Sequence, residues 1–185
     1  SDLFKLIKSM TNNDTLTLYI SEDDENSLGI KIENCEKNSL TNFKINLLDL
    51  DDESIVVPPA EFESVITMPS SDFQKICRDM SVISDTIEIK SVDELLLLSC
   101  NGEFCTQETR LGQTNKGMSF LKTGNASDIV QGYFSLKSLV LFTKCTNLCN
   151  SIEIYLKNNY PLIIQYSVAS LGSIKLCLAP KEQNL

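Results

Sequence analysis

The chain has 185 residues, 16 Lys and Arg against 25 Asp and Glu, a net charge of −9, and neither His nor Trp. Without His, no Ser-His-Asp or Cys-His nucleophile pairing can be assembled and the commonest transition-metal ligand is missing, which excludes most hydrolase designs. An acidic chain also repels phosphate, so the charge taken as one number argues against nucleic acid. With 42% apolar and 22% charged residues, the composition is that of an ordinary soluble chain of one or two domains.

In chain order, an amphipathic helix pattern, SDLFKLIKSM, opens the sequence and is followed by two strand patterns, TLTLYI and LGIKIE. The segment DLDDESIVVPPAEFESVITMPS follows. Its acidic cluster (Asp49, Asp51, Asp52, Glu53) and rigid Pro58-Pro59 pair predict an extended connector and a domain boundary. Ile55, Val56 and Val57 stand in a row inside it, which reads as either a buried edge strand or a docking surface. A second helix pattern, SSDFQKICRDM, precedes TIEIK and ELLLLSC; a third, SLKSLVLFTKC, precedes SIEIYL and PLIIQYSV. Helix starts near residues 1, 71 and 135 define a repeat of one helix per about 65 residues. Two repeats follow the connector and one precedes it, so the repeat logic expects a further repeat upstream.

Seven cysteines, at 35, 77, 100, 105, 145, 149 and 177, are scattered through apolar stretches and read as reduced core thiols of an intracellular protein. Cys145 and Cys149 could meet on a helix, but a zinc site would need two more ligands, so neither metal nor other cofactor is expected. No apolar run is long enough to span a bilayer, and no membrane partner is expected.

On a 100° wheel each helix gathers its basic residues on one stripe opposite its apolar one. Lys5 and Lys8 oppose Leu3, Ile7 and Met10. Lys75 and Arg78 oppose Phe73, Ile76, Cys77 and Met80; Lys137 and Lys144 lie away from Leu136, Leu139 and Phe142. Residues 1–11, 71–80 and 135–146 hold six of the 16 basic and three of the 25 acidic residues, a net +3, which leaves −12 on the rest of the chain. Helices set side by side over a sheet would make these stripes one basic band. Without interleaved aromatics or base-reading Asn and Gln, it would suit phosphates rather than sequence readout.

The stretch DLDDESIVVPPAEFESVITMPSSDFQKICRDM, with LFTKCTNL and YPLIIQYSVASLGSIKLCLAPK, closely resembles the proliferating cell nuclear antigen (PCNA) family of eukaryotic and viral DNA sliding clamps, collinearly over essentially the whole chain. The resemblance implies an α+β DNA-clamp fold of helix-plus-antiparallel-sheet units, forming part of a pseudo-sixfold, homotrimeric ring. It implies the second half of an N-terminal clamp domain at 1–51, a connecting loop at 52–65 and a C-terminal clamp domain at 66–185. It assigns Lys5, Lys8, Lys75, Arg78, Lys137 and Lys144 to a surface facing double-stranded DNA. Ile55, Val57, Pro58, Pro161, Cys177, Ala179 and Pro180 are assigned to a hydrophobic pocket for the PCNA-interacting peptide (PIP box) of polymerases and other partners. In that pocket Cys177 replaces the family's usual Tyr, while Val56 replaces the usual Gly of the connector. It also assigns Phe43, Ile45 and Leu47 of one subunit to pair with Thr109, Arg110 and Leu111 of a neighbour.

The implied activity is a processivity factor without catalysis, placed on DNA by a separate ATP-driven clamp loader and working in a nucleus or at a viral replication site. Within the same fold, a checkpoint-clamp subunit or a monomeric viral processivity factor are alternatives. A carboxylate enzyme using Asp49, Asp51, Asp52 and Glu53 is the alternative from another class.

Overall fold

Alternation of apolar and polar residues dominates this chain, and antiparallel sheets are the result. A computed structural model describes residues 2–8, 10–48, 60–114, 117–123 and 128–181. The chain divides into two compact units, Ser1–Val57 and Pro58–Leu185.

The first unit opens on helix α1 (Asp2–Ile7), continues into a meander of β1 (Asp14–Ser21), β2 (Asp24–Asn34) and β3 (Ser39–Asn46), and forms a sheet of order β1-β2-β3. Leu16, Leu18 and Ile20 stand opposite Ile32, Ile30 and Leu28 and so share their face. Ile30 is fully buried, whereas Leu16, Leu18 and Ile20 on the outer strand are 37%, 48% and 57% exposed.

The second unit begins with β4 (Ser64–Pro69) and helix α2 (Ser70–Ser81), then the meander β5 (Thr86–Val92), β6 (Leu95–Asn101) and β7 (Thr106–Gly112). After β8 (Ser119–Lys122), the same plan recurs. Strand β9 (Ile129–Ser135) leads into helix α3 (Leu136–Phe142) and a 3₁₀ segment (Thr143–Leu148), then the meander β10 (Ser151–Leu156), β11 (Leu162–Val168) and β12 (Gly172–Leu178). The two sheets have orders β12-β11-β10-β4-β8 and β7-β6-β5-β9. Each repeat's leading strand therefore pairs with the other repeat's meander, β4 on β10 and β9 on β5. Alternate residues such as Ile66, Ile87, Leu98, Ile154 and Ile164 turn inward and, with Phe73, Met80 and Leu139 from the helices, form one core.

Several expectations are refined. Every repeat carries three strands after its helix, not two. Helix α1 stops at Ile7, although Lys8 N–H still donates to the Phe4 carbonyl at 3.0 Å. Helix α3 tightens into 3₁₀ geometry at Thr143. There the Thr143 hydroxyl donates to Val140 O at 3.0 Å, and the run Thr143, Thr146, Asn147 favours helix weakly. Strand β4 starts at Ser64, inside the expected connector 52–65, because that residue is buried and paired with Leu156. The cysteines are all free thiols, but they are not all core residues: Cys77 and Cys100 are buried, Cys35, Cys105 and Cys177 are exposed, and Cys145 and Cys149 lie between. Burial alone pushes the Cys77 thiol up to about 12.

Candidate nucleic-acid and peptide interfaces

Helix α2 buries Ser70, Phe73, Cys77 and Met80, spacings of three and four that leave Lys75 and Arg78 exposed on the opposite side. Helix α3 buries Leu136 and Leu139, with the Ser135 hydroxyl accepting from Ser138 N–H at its start. Lys137 is exposed on the helix and Lys144 on the 3₁₀ segment beyond it. The two helices pack against each other, and Gln74 Nε2 donates to the Thr143 carbonyl at 2.7 Å across the seam. Four basic side chains of the second unit thus project from one pair of touching helices. Lys5 and Lys8 are exposed at the end of α1 in the first unit.

The ion pairs Lys31–Glu33, Lys44–Asp24, Lys90–Glu88 and Arg110–Glu108 all lie on strands. The Lys44 ammonium, through its hydrogen bond, holds the Asp24 carboxyl below its ordinary range. Lys75, Arg78, Lys137 and Lys144 stand on the solvent side of their helices, where a polyanion could approach them.

The opposite face of the β12-β11-β10 sheet carries an apolar patch. Tyr155 stands across from Ile163, and Ile163 from Cys177, while the neighbouring Leu162–Leu178 pairing places Pro161 beside Ala179. Cys177, Ala179 and Pro180 are exposed; Ile163 is buried despite facing away from the core. Phe62 closes one side, with its ring centroid 5.2 Å from Tyr155 and 5.8 Å from Tyr160 in edge-to-face geometry. The Tyr155 hydroxyl donates to Glu153 at 2.5 Å, and burial, reinforced by that carboxylate, pushes it up to about 12. Pro180 borders a neighbouring groove of about 530 Å³ with Tyr133, Tyr160 and Lys181.

Of the seven sequence-predicted pocket residues, Pro161, Cys177, Ala179 and Pro180 come together here, while Ile55, Val57 and Pro58 lie outside the described residues. Sequence reasoning missed Ile163, Tyr155, Tyr160 and Phe62. A signal existed: Leu162, Ile163 and Ile164 form an unbroken apolar run, so one of them must face away from the core.

Phe43 and Ile45 are half-buried in β3, and Leu47 follows it with its N–H donating to Asn26 O at 2.8 Å. Thr109, Arg110 and Leu111 lie in β7. Each of these strands is the edge of its own sheet, with one side of its backbone ladder open. The acidic cluster 49–53 lies outside the described residues. Among the described residues no three Cys, Asp or Glu side chains converge as metal ligands.

Helix-bearing repeats with exchanged leading strands, basic helices on one side and an apolar patch on the outer sheet face define a clamp-type α+β protein. Residues 56–181 match the family model described as proliferating cell nuclear antigen, C-terminal domain. The chain is 38% identical over 183 residues to a protein named "Probable DNA polymerase sliding clamp 1" from Paramecium bursaria Chlorella virus 1, covering 97% of this chain and 69% of that one. It is 34% identical over 176 residues to "Probable DNA polymerase sliding clamp" from Acanthamoeba polyphaga mimivirus, covering 94% of this chain and 37% of that one. The chain belongs to the proliferating cell nuclear antigen family, the family of the DNA sliding clamps, in agreement with the resemblance in its motifs.

Proposed function

We propose that this protein acts as a DNA sliding clamp, a processivity factor that surrounds duplex DNA and holds polymerases and other partners to it. The observation that carries the reading is the segregation of charge: Lys75, Arg78, Lys137 and Lys144 project from touching helices on a chain of net charge −9. Phosphate contacts of this kind carry no base information. Being screened by salt, they hold DNA without fixing a register, so a ring linked topologically to the duplex can slide. An acidic exterior would keep DNA off the outside.

The ring itself is a homotrimer in this reading. The open edges of β3 and β7 support a head-to-tail contact, which must either close or grow a fibre. The exposed apolar side of β1 supports pairing with a further repeat, in the place that β9 takes on β5 and β4 on β10. The patch around Pro161, Ile163 and Cys177 receives a PIP-box peptide, a short helical turn whose aliphatic and aromatic anchors fill an apolar groove. The protein contributes recruitment and leaves the chemistry to its partners; an ATP-driven loader opens and closes the ring at a viral replication site or in a nucleus.

Replacing Lys75, Arg78 and Lys144 by Ala should weaken clamp-stimulated DNA synthesis while leaving trimer formation, read by sedimentation, intact. Stimulation that stays at the wild-type level at every salt concentration would refute the assignment of these residues to DNA.

A further inference from the structure

Phe62 arrives just ahead of β4 and lies edge-on to two rings at once, at 64° to Tyr155 on β10 and 79° to Tyr160 in the turn that follows. The chain beside it is tied to the same turn. Glu63 N–H donates to Leu156 O at 3.1 Å, and the Glu63 carboxylate accepts from Asn158 N–H at 3.2 Å. Asn158 extends the tie to β9, donating from Nδ2 to Ile129 O at 2.9 Å and accepting at Oδ1 from Gln131 N–H at 2.8 Å. Lys157 Nζ lies 5.8 Å from the Tyr160 ring centroid, and Asn159 takes a left-handed φ of 57°. This turn delivers Pro161 directly into the apolar patch. Tyr155 alternates with the buried Ile154 and Leu156 on β10, so its ring leaves the sheet on the outer face, and Tyr160 lies in the turn beyond the strand. The Phe62 edge meets both rings and so joins the strand to the turn.

We propose that Phe62 is a positioning residue of the peptide interface, wedged between Tyr155 and Tyr160 so that turn 157–160 and the Pro161 wall keep the shape a bound peptide requires. The inference rests on the reading of the Pro161–Ile163–Cys177 patch as a peptide site. A preformed wall spares the complex the entropy of ordering it, so loosening the wedge should weaken binding without unfolding the unit.

The test uses the whole chain and a synthetic peptide presenting an aliphatic and an aromatic anchor on one helical turn. Phe62→Ala should raise the peptide Kd about tenfold, well below the melting temperature, and speed hydrogen exchange at Asn158 and Gln131; Phe62→Tyr, which keeps the ring edge, should restore both. A purely structural role would lower the melting temperature and leave Kd within twofold, and that result overturns the proposal. If Phe62→Ala does not fold, Tyr160→Leu removes the other half of the wedge and should give the same two changes; wild-type Kd and exchange in that variant equally overturn it. A wild-type chain that does not bind the peptide refutes the peptide-site reading instead, and the positioning proposal falls with it; the exchange rates then show whether Phe62 holds the turn at all.

Discussion

Ser64 and Ser91 lie on strands of different sheets, β4 and β5, with their hydroxyl oxygens 2.8 Å apart and exposures of 0% and 3%. A buried hydroxyl without a partner costs about 1–3 kcal/mol, so each serine satisfies the other and the pair bridges the two sheets. Ser64→Ala or Ser91→Ala alone should lower the stability of the second unit by roughly that amount. The double substitution should cost less than the sum of the two, because no orphaned hydroxyl then remains. Chemical denaturation of the three variants checks this, and strict additivity would show that the two hydroxyls do not interact. Neither serine stood out in the sequence, since a polar residue in a strand pattern ordinarily marks the solvent side. Cys177 shows the converse: an apolar-looking residue in SIKLCL that register places outward, across from Ile163.

At the scale of elements, the leading strands are exchanged between repeats, so neither repeat of the second unit completes a sheet by itself. The core is correspondingly shared: Ile154 on β10 is fully buried between β4 of one repeat and β11 of its own. Ile154→Ala should cost about 2–5 kcal/mol. The loss should appear as one cooperative transition in which probes on α2 and α3 melt together. Two separated transitions would mean that the repeats are independent. The helices and the first two strands of each repeat were legible because their apolar periods, three to four and two, run over enough residues to be distinct. The third strand was harder to see. β7, reading TQETRLG, has one large apolar side chain, Leu111, because an edge strand with an exposed face needs little else. The break from α to 3₁₀ at Thr143 escaped the wheel as well, since a wheel assumes one uniform helix, whereas here the Thr143 hydroxyl donates to Val140 O and its carbonyl accepts from Gln74 on α2.

For the molecule as a whole, the figure of −9 misleads until it is resolved in space. Salt dependence reports on that distribution. Binding of duplex DNA should weaken with salt with a slope of about −0.9 per phosphate neutralised, and replacing Lys75, Arg78, Lys137 and Lys144 by Ala should shrink it by about 0.9 for each phosphate left without its cation. Anisotropy titrations of a labelled duplex across a salt series give the slope, and an unchanged value would place the DNA-binding surface elsewhere. The absence of His, by contrast, reads the same at every scale, because no arrangement of the chain can supply a missing imidazole.

Periodicity and charge are local properties that survive without coordinates, so the α+β class, the repeat, the basic stripe on each helix and, through the motifs, the family could all be read along the chain. Packing in three dimensions settles which strands exchange, which apolar residues turn outward to build the patch around Ile163, and that Phe62 meets Tyr155 and Tyr160. The Phe62 contacts cross more than ninety positions of the chain, and all of these features are set by sheet register and by packing in a shared core, where a one-residue shift in register would reverse which face each side chain occupies.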